Sequence, residues 1–593
     1  MTLSKRLFWG TALVLCTLAT LVGRSRAQSA DTILFNGKVL TVDKNFSIAQ
    51  AVAIKNGRFL SVGSNQDVRR TVGPATHMID LRGQTVIPGL IDGHAHMDRE
   101  GLRTIYPSLG GARSIADILK IVEREVRKAK PGEWVVTMPI GDPPYYLDVP
   151  GNLKENRLPT RQDLDKVSPN NPVYIKGIWG WWNRPPVVSI ANTAALKLAN
   201  ITRNTTAPYD KITIQKDQAT GEPTGVFIEE TFEPIVDLTL MAVAPRFTHA
   251  QRVSALKESL RVYNSQGITG VYEGHSVSSE VIHAYKELWN KRALTVRSYL
   301  VFSPTPGKTV LEFEETLRDW GTYLDGAGFG DDMLRIGGTF VPVLGNPDAA
   351  RIRKAAVPYV DWASYYVDKP TPEAFRERLF LQAKYGVRVN VIAPFQRSLD
   401  QVLGLFEEVN KTYPIADRRW VIFHHEEATE HNVRQMKALG VVLAVIPTKY
   451  IWMYGTDAER QPADRRGANP QTADRFQPYN TLMKAGIPVA IGTDNSPANG
   501  LFALWTAIAR KNRDTGRVMN AVEKLSRQDA LRAMTVNGAY LGFEENVRGS
   551  IEKAKYADLA VLDRDYMTVP EDDIKDIRVR MTMVGGTVVY QEQ

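Results

Sequence analysis

Two histidines separated by one residue end an apolar stretch near the beginning of the chain. His94 and His96 close the sequence VIPGLIDGHAH, which covers positions 86–96. Side chains two apart on a β-strand project to the same side, so we expect both imidazoles at the carboxyl end of one strand. Two neutral imidazoles held in this way bind a divalent metal ion. A pair of surface loop histidines is the alternative, and the PGLIDG sequence before them argues against it.

A second metal-ligand candidate ends another apolar segment, WVIFHHEE at positions 420–427. A buried strand that ends abruptly in histidines and acids is typical of a barrel strand that delivers a ligand to an active site. His424 is the predicted ligand. His425 alternates to the other side of the strand, where we expect a solvated or supporting side chain.

A third candidate, Asp494, lies in the segment IPVAIGTDNSP at positions 487–497. The TDN sequence alone is ordinary turn chemistry. After an apolar strand, however, an aspartate can bind a metal with one carboxylate oxygen and accept a proton from water with the other. The three stretches together predict a metal site of His94, His96, His424 and Asp494, in which His424 and Asp494 are also the catalytic residues.

Apolar, strand-like runs alternate with amphipathic helical stretches through the middle of the chain, which indicates βα units around a parallel sheet. Eight such runs are present, the number that closes a TIM-like (β/α)8 barrel, an α/β fold. They cover positions 85–92, 267–273, 295–302, 335–344, 387–393, 420–424, 441–447 and 487–493. The gap after the first run is too long for one crossover helix and predicts a large insertion at about 100–250.

Both ends of the chain are rich in short apolar runs. Near the start, the dipeptides Asn36-Gly37 and Asn56-Gly57 are strong hairpin signals. We therefore expect one small β-sandwich formed by both chain ends, from residues 28–84 and 548–593, around a barrel domain over 85–547.

Three tryptophans of the insertion, Trp179, Trp181 and Trp182, are candidates for the wall of a substrate pocket. Such a cluster is more often part of a hydrophobic core, and this alternative stays open.

The first 27 residues have the pattern of a signal peptide. Lys5 and Arg6 precede an apolar run at 7–22, and small residues follow at 25–27. The run is short for a membrane span, so we expect no stable anchor after the leader is removed. The only cysteine, Cys16, lies in this leader, so the mature chain has no disulfide. An exported bacterial protein, periplasmic or secreted, is the prediction.

The composition of the 593 residues is that of a globular protein, with 43% hydrophobic and 23% charged residues. The formal net charge of +9 includes the leader, and the basic residues are scattered. No basic stripe with interleaved aromatic residues is present, so nucleic acid is not an expected partner. The expected partner is a small-molecule substrate, and a homo-oligomer is an open alternative to a monomer.

The chain resembles the amidohydrolase superfamily, in particular the branch of exported hydrolases similar to N-substituted formamide deformylase. The resemblance is carried by ILFNGKV at 33–39, PGLIDGHAH at 88–96, NTAAL at 192–196, GEPTGV at 221–226, GTD at 492–494, GSIE at 549–552 and ADL at 557–559. It implies a distorted barrel, a β-sandwich split between the two chain ends, and hydrolysis by water that a divalent metal activates.

Two departures from this branch indicate a divergent metal site. Relatives carry a lysine on the fourth strand, carboxylated to bridge two metals, where this chain has Phe340. They also carry a histidine on the fifth strand, where this chain has Ile392, with Asn390 two residues earlier. The four remaining ligands predict one ion, Zn²⁺, per chain. Glu273 and Asn390 are candidates for additional ligands, and His275 is a weaker one.

The leading functional prediction is a metal-dependent hydrolase of C–N bonds other than peptide bonds, acting on a small amide, formamide, carbamate or cyclic amide. One alternative is an ester or lactone hydrolase with the same site, since the chemistry does not require nitrogen in the leaving group. The other is a non-catalytic barrel that has lost part of its metal site.

Overall fold

The computed structural model describes residues 29–177, 186–230, 235–341, 347–366, 368–425, 427–455 and 476–593. Its centre is a parallel sheet of eight strands that curls into a nearly closed barrel. In chain order the barrel strands, numbered one to eight below, are Leu90–Asp92, Ile268–Val277, Arg297–Phe302, Leu334–Phe340, Val389–Ile392, Val421–Phe423, Val442–Val445 and Val489–Ile491. The predicted TIM-like fold is confirmed.

Backbone hydrogen bonds connect the first barrel strand to the eighth just beyond their carboxyl ends. The Gly93 N–H donates to the carbonyl of Ile491 at 2.9 Å, and the Asp494 N–H donates to the carbonyl of His94 at 2.9 Å. These bonds bring the first and last predicted metal ligands, about four hundred residues apart in sequence, to the same rim.

Helices pack around the barrel because each buries one apolar face. In the helix Gln396–Thr412 the buried residues Leu399, Val402, Leu403 and Phe406 recur at helical spacing. Other helices between and after the barrel strands are Met97–Glu100, His249–Ser265, Ser279–Asn290, Val310–Leu324, Pro347–Ala356, Pro372–Lys384, Glu430–Ala438, Tyr479–Lys484, Gly500–Ala509, Arg527–Ala533 and Val536–Leu541.

The segment between barrel strands one and two contains a sheet of its own. In spatial order its strands are Ile212–Lys216, Pro223–Glu229, Val187–Ala191, Val173–Ile175 and Val135–Thr137. The helices Ile115–Val126, Arg161–Asp165, Thr193–Leu198 and Ile235–Leu238 accompany it. The insertion therefore has regular secondary structure rather than being one long loop.

Strands from both ends of the chain pair in one sheet of six strands. In spatial order these are Thr587–Gln591, Val579–Val584, Leu559–Leu562, Thr85–Pro88, Lys38–Leu40 and Ile48–Ala49. A sheet of four strands, Arg58–Gly63, Ala51–Lys55, Thr32–Phe35 and His77–Asp80, packs against it. Buried Val52 and Phe59 of the smaller sheet share a hydrophobic cluster with Val561 and Met583 of the larger one.

The two Asn-Gly dipeptides have different roles. Asn56 and Gly57, with φ of 50° and 73°, turn the chain between antiparallel strands Ala51–Lys55 and Arg58–Gly63, as expected for a hairpin. Asn36 also has a positive φ, 57°, but the strands on either side belong to different sheets. The predicted hairpin at Asn36 is therefore wrong, because this turn carries the chain from one layer of the sandwich to the other.

The predicted first barrel strand, 85–92, is two strands. Thr85–Pro88 joins the six-stranded sheet of the chain ends, and only Leu90–Asp92 joins the barrel. The break falls at Gly89, where a Cβ atom would lie 2.2 Å from the Thr269 hydroxyl oxygen. Periodicity alone does not reveal the break, because both strands are buried and apolar.

Within the described residues, no helix has both the length and the apolar composition needed to cross a bilayer. The predicted signal peptide, 1–27, lies outside the described residues.

Candidate metal centre

Five buried polar side chains meet at the carboxyl ends of four barrel strands. His94 and His96 follow strand one, His275 lies on strand two, His424 follows strand six, and Asp494 follows strand eight. Each is at most 1% exposed. Parallel strands in a barrel present their carboxyl ends at one rim, which is where barrel active sites form.

The four imidazole rings form one cluster around His94 and His275. The ring centroid of His94 lies 4.8 Å from those of His275 and His424 and 5.1 Å from that of His96. The Nε2 atoms of His275 and His424 are 2.8 Å apart. Asp494 Oδ1 lies 2.9 Å from His96 Nε2 and 3.8 Å from His94 Nε2. The structure thus brings together the four residues that the sequence predicted as ligands, and it adds His275.

Two of these residues have strained backbones. His424 and Asp494 have φ of 54° and 51°, the left-handed region that residues with a side chain seldom adopt. Such conformations persist where the surrounding structure enforces them, and they concentrate at functional sites. Here they turn the chain where strands six and eight end.

Burial keeps the histidines neutral. Desolvation lowers the pKa of His424 to about 4, and it lowers the pKa of His94 and His275 well below the usual range, with neighbouring imidazoles adding to the effect. Burial acts to raise the pKa of Asp494, but the three surrounding histidines outweigh it, so its pKa is below the usual range. At neutral pH the site thus offers neutral imidazoles and an ionised carboxylate, the forms that bind divalent metals.

Several of these buried atoms have no hydrogen-bond partner among the described residues. They are both ring nitrogens of His94, Nδ1 of His275 and Oδ2 of Asp494. An unsatisfied buried polar group costs about 1–3 kcal/mol. A divalent cation would satisfy these atoms together, and His94, His96 and His275 form a group whose candidate ligand atoms all lie within 4.8 Å of one another. The donor set therefore fits a metal ion.

Glu273, a candidate additional ligand, lies beside the centre and forms hydrogen bonds with residues around it. Its Oε1 atom accepts hydrogen bonds from the Tyr285 hydroxyl (2.7 Å) and the Asp98 N–H (3.2 Å), and its Oε2 atom lies 4.0 Å from His96 Nδ1. Burial and the Asp98 carboxylate raise its pKa well above the usual range. Glu273, Asp98 and His96 form a second group with metal-ligand spacing.

The side chain of Asn390, the other candidate extra ligand, binds neighbouring residues of the protein. Its Oδ1 atom accepts from the Tyr272 hydroxyl at 2.7 Å, and its Nδ2 atom donates to the Thr339 carbonyl at 3.4 Å. Phe340 is buried at the end of strand four, and its ring centroid lies 5.7 Å from that of His275.

The three tryptophans proposed for the substrate pocket, Trp179, Trp181 and Trp182, lie outside the described residues. His425, expected to be solvated or supporting, is fully buried, and burial lowers its pKa to about 4.

His275 is only a weaker candidate in the sequence, but its ring lies within the cluster. The second strand was predicted to end at Glu273, but it continues to Val277. Glu273 and His275 are two residues apart on that strand and both point toward the centre, as His94 and His96 do. The Glu-x-His spacing after an apolar run was the available signal.

Sequence comparison assigns the family. The profile described as "Amidohydrolase family" matches residues 77–590, most of the chain. The chain therefore belongs to the amidohydrolase family, and it is an amidohydrolase-type hydrolase with a metal-dependent hydrolase fold.

Individual relatives cover nearly the whole chain. The N-substituted formamide deformylase of Arthrobacter pascens is 26% identical over 577 residues, covering 95% of this chain and 99% of its own. The putative amidohydrolase YtcJ of Bacillus subtilis is 26% identical over 580 residues, covering 94% of this chain and 99% of its own. A crystal structure described as an uncharacterized metal-dependent hydrolase from Pyrococcus horikoshii superposes with a TM-score of 0.65 at 21% identity, covering 91% of this chain and 99% of that one.

Proposed function

We propose that this enzyme hydrolyses a C–N bond other than a peptide bond in a small molecule, such as an amide, formamide, carbamate or cyclic amide. One observation carries the proposal: His94, His96, His424 and Asp494, from three distant stretches of the chain, converge at one rim of the barrel. The relative named N-substituted formamide deformylase, similar over nearly the full length, supports the formamide and amide classes.

We assign the metal to these four side chains. A divalent ion, when bound, polarises a carbonyl oxygen and lowers the pKa of water toward neutrality. Zn²⁺ suits the imidazole and carboxylate ligands, and about one ion per chain matches a site in which Phe340 stands where a second ion would need a bridging ligand. The phenyl ring of Phe340 has no atom that binds a metal.

Asp494 is the proposed proton carrier. Its neighbours hold its pKa low, so the carboxylate is ionised at neutral pH, and its Oδ2 atom has no hydrogen-bond partner among the described residues. That atom accepts the proton of the attacking water and passes it to the leaving amine. His424, whose Nδ1 atom lies 2.7 Å from the Tyr450 hydroxyl, is held so that its other nitrogen faces the centre, where it binds the metal or polarises the carbonyl.

The leader composition of residues 1–27 supports the further proposal that the enzyme is exported.

A matched substrate assay tests the function. The protein is stripped with a chelator, reloaded with Zn²⁺, and given pairs of N-substituted formamides and formate esters that have the same substituent. We expect turnover of the formamides by the Zn²⁺-loaded form and none by the stripped form. Turnover of the esters alone would support the ester hydrolase instead, and no turnover of either class would contradict the proposal for these substrates.

A further inference from the structure

We infer that His275, on barrel strand two, is a direct ligand of the metal ion. This inference rests on the proposed metal-dependent function. In the sequence His275 is only a weaker candidate for an additional ligand, and the comparisons give strand two no role in metal binding.

The first support is the position of the His275 ring inside the cluster. Its centroid lies 4.8 Å from that of His94, 5.1 Å from that of His96 and 4.9 Å from that of His424. His275 also belongs, with His94 and His96, to the group whose candidate ligand atoms lie within 4.8 Å of one another. The ring is therefore as central to the cluster as those of the predicted ligands.

The second support is the contact between His275 and His424. Their Nε2 atoms face each other at 2.8 Å. A separation of 2.8 Å is within the range of an N–H···N hydrogen bond. Two nitrogens bound to one Zn²⁺ at about 2.0–2.1 Å lie about 2.9–3.3 Å apart for N–Zn–N angles of about 90–109°, so a bound ion requires only a small movement of the two rings. Since His424 Nδ1 is already paired with the Tyr450 hydroxyl, the Nε2 atom of His424 is the one that points at the centre, and His275 Nε2 points at the same place.

The third support is the packing around the His275 ring. Phe340, at the end of strand four, packs with its ring centroid 5.7 Å from that of His275, and the Tyr365 ring lies 5.1 Å away. The preceding residue, Gly274, allows strand two to pass close to the first ligand, since a Cβ atom there would lie 2.7 Å from His94 Nδ1. These contacts hold the His275 ring against the other imidazoles.

The alternative is that His275 only orients His424 through a hydrogen bond. Both roles predict reduced activity when His275 is replaced, so activity does not separate them. Metal affinity and the electronic spectrum of a bound transition metal do, because an orienting residue leaves the ligand set unchanged.

The test uses Co²⁺ on the chelator-stripped full-length protein. Co²⁺ affinity, from competition with a chelator, and the visible absorption spectrum are measured for the wild type, His275→Gln and the control His425→Gln. His425 is also a fully buried histidine, and its pKa is lowered by burial without a contribution from the other imidazoles. The control should bind Co²⁺ like the wild type.

For His275→Gln we expect a loss of Co²⁺ affinity larger than the about 10–100-fold typical of losing an orienting residue, together with an altered Co²⁺ spectrum. A smaller loss with an unchanged spectrum would overturn the inference and leave the proposed function intact. Failure of the wild type to bind Co²⁺ would overturn both.

A second measurement does not depend on a variant that folds. In crystals of the wild-type protein soaked with Zn²⁺, anomalous scattering locates the ion. We expect a His275 nitrogen at about 2.0–2.1 Å from it, and a separation beyond about 3 Å would overturn the inference.

Discussion

At the scale of single residues, the centre combines strain with desolvation. His424 and Asp494 have left-handed backbones, which cost on the order of 1–3 kcal/mol each, and His94 has two buried nitrogens without partners among the described residues. A stable fold retains such unfavourable contributions to its free energy of folding where binding of a ligand offsets them or where the reaction requires them. The combination of strained backbones and unpartnered buried nitrogens at this rim supports the proposal that it is the reactive site.

Replacement of Asp494 by Asn tests whether this residue takes part in the reaction, as a proton acceptor or as a metal ligand. The amide retains the size of the side chain but cannot accept a proton from water, so we expect kcat/KM on the best substrate to fall by about 10²–10⁴-fold. Near-ultraviolet circular dichroism should be unchanged. Asp319→Asn, at an exposed aspartate paired with Arg318, is the control and should retain activity. Unchanged turnover by Asp494→Asn would remove this residue from the mechanism.

Four of the five centre residues were predictable from the sequence because each follows an apolar, strand-like run. His275 was only a weaker candidate because the end of strand two was placed too early. The β-ladder is irregular between Glu273 and Val277, and Ser276 has a φ of 74°, so the end of the strand did not follow from the sequence. The environments of Glu273 and Asn390 depend on partners that are distant in sequence, such as Tyr285 and Tyr272.

At the scale of elements, glycines set how closely strands one, two and eight approach. A Cβ atom at Gly492, after strand eight, would lie 2.4 Å from His94 Cβ and 2.5 Å from the His94 backbone nitrogen. One of these atoms belongs to the backbone and the other is attached directly to it, so neither can move away without a shift of the backbone. The contact places the backbone of strand eight directly against the first ligand.

Gly492→Ala is therefore expected to lower the free energy of unfolding by about 1–3 kcal/mol, as overpacking of a tight core does. Metal affinity should fall as well, because His94 is displaced. Gly404→Ala is the matched control: this glycine lies in the helix Gln396–Thr412 with no atom within 4 Å of its added Cβ. The control should be neutral or stabilising by up to about 1 kcal/mol in chemical denaturation. Equal stability of Gly492→Ala and the wild type would contradict the packing argument.

The eight barrel strands were largely predictable as elements, since apolar runs and alternating helices identify a parallel barrel. The pairing of the flanking strands in particular sheets was not predictable from the sequence. The break between Thr85–Pro88 and Leu90–Asp92 falls at Gly89, which lies against Thr269 of the neighbouring strand, and the turn at Asn36 leads into a strand of a different sheet. Tertiary packing determines such pairings, and the local pattern of apolar residues does not reveal them.

At the scale of the whole molecule, the centre brings parts of the chain that are distant in sequence into contact. His94 and Asp494 are joined both through the backbone hydrogen bond between them and through the side-chain cluster. Near the same part of the chain, Thr85–Pro88 pairs with Leu559–Leu562, so both chain ends are anchored next to strand one. A metal ion at the rim is thus expected to stabilise the fold as a whole, since it binds only the folded state.

The most direct test of the metal centre is the metal content of the purified full-length protein after dialysis against metal-free buffer, measured by inductively coupled plasma mass spectrometry. We expect about one zinc ion per chain in the wild type and none in a His94→Gln/His96→Gln double variant. A wild-type protein that retains no divalent metal after reloading with zinc, or a double variant that retains as much as the wild type, would contradict a metal centre at this rim.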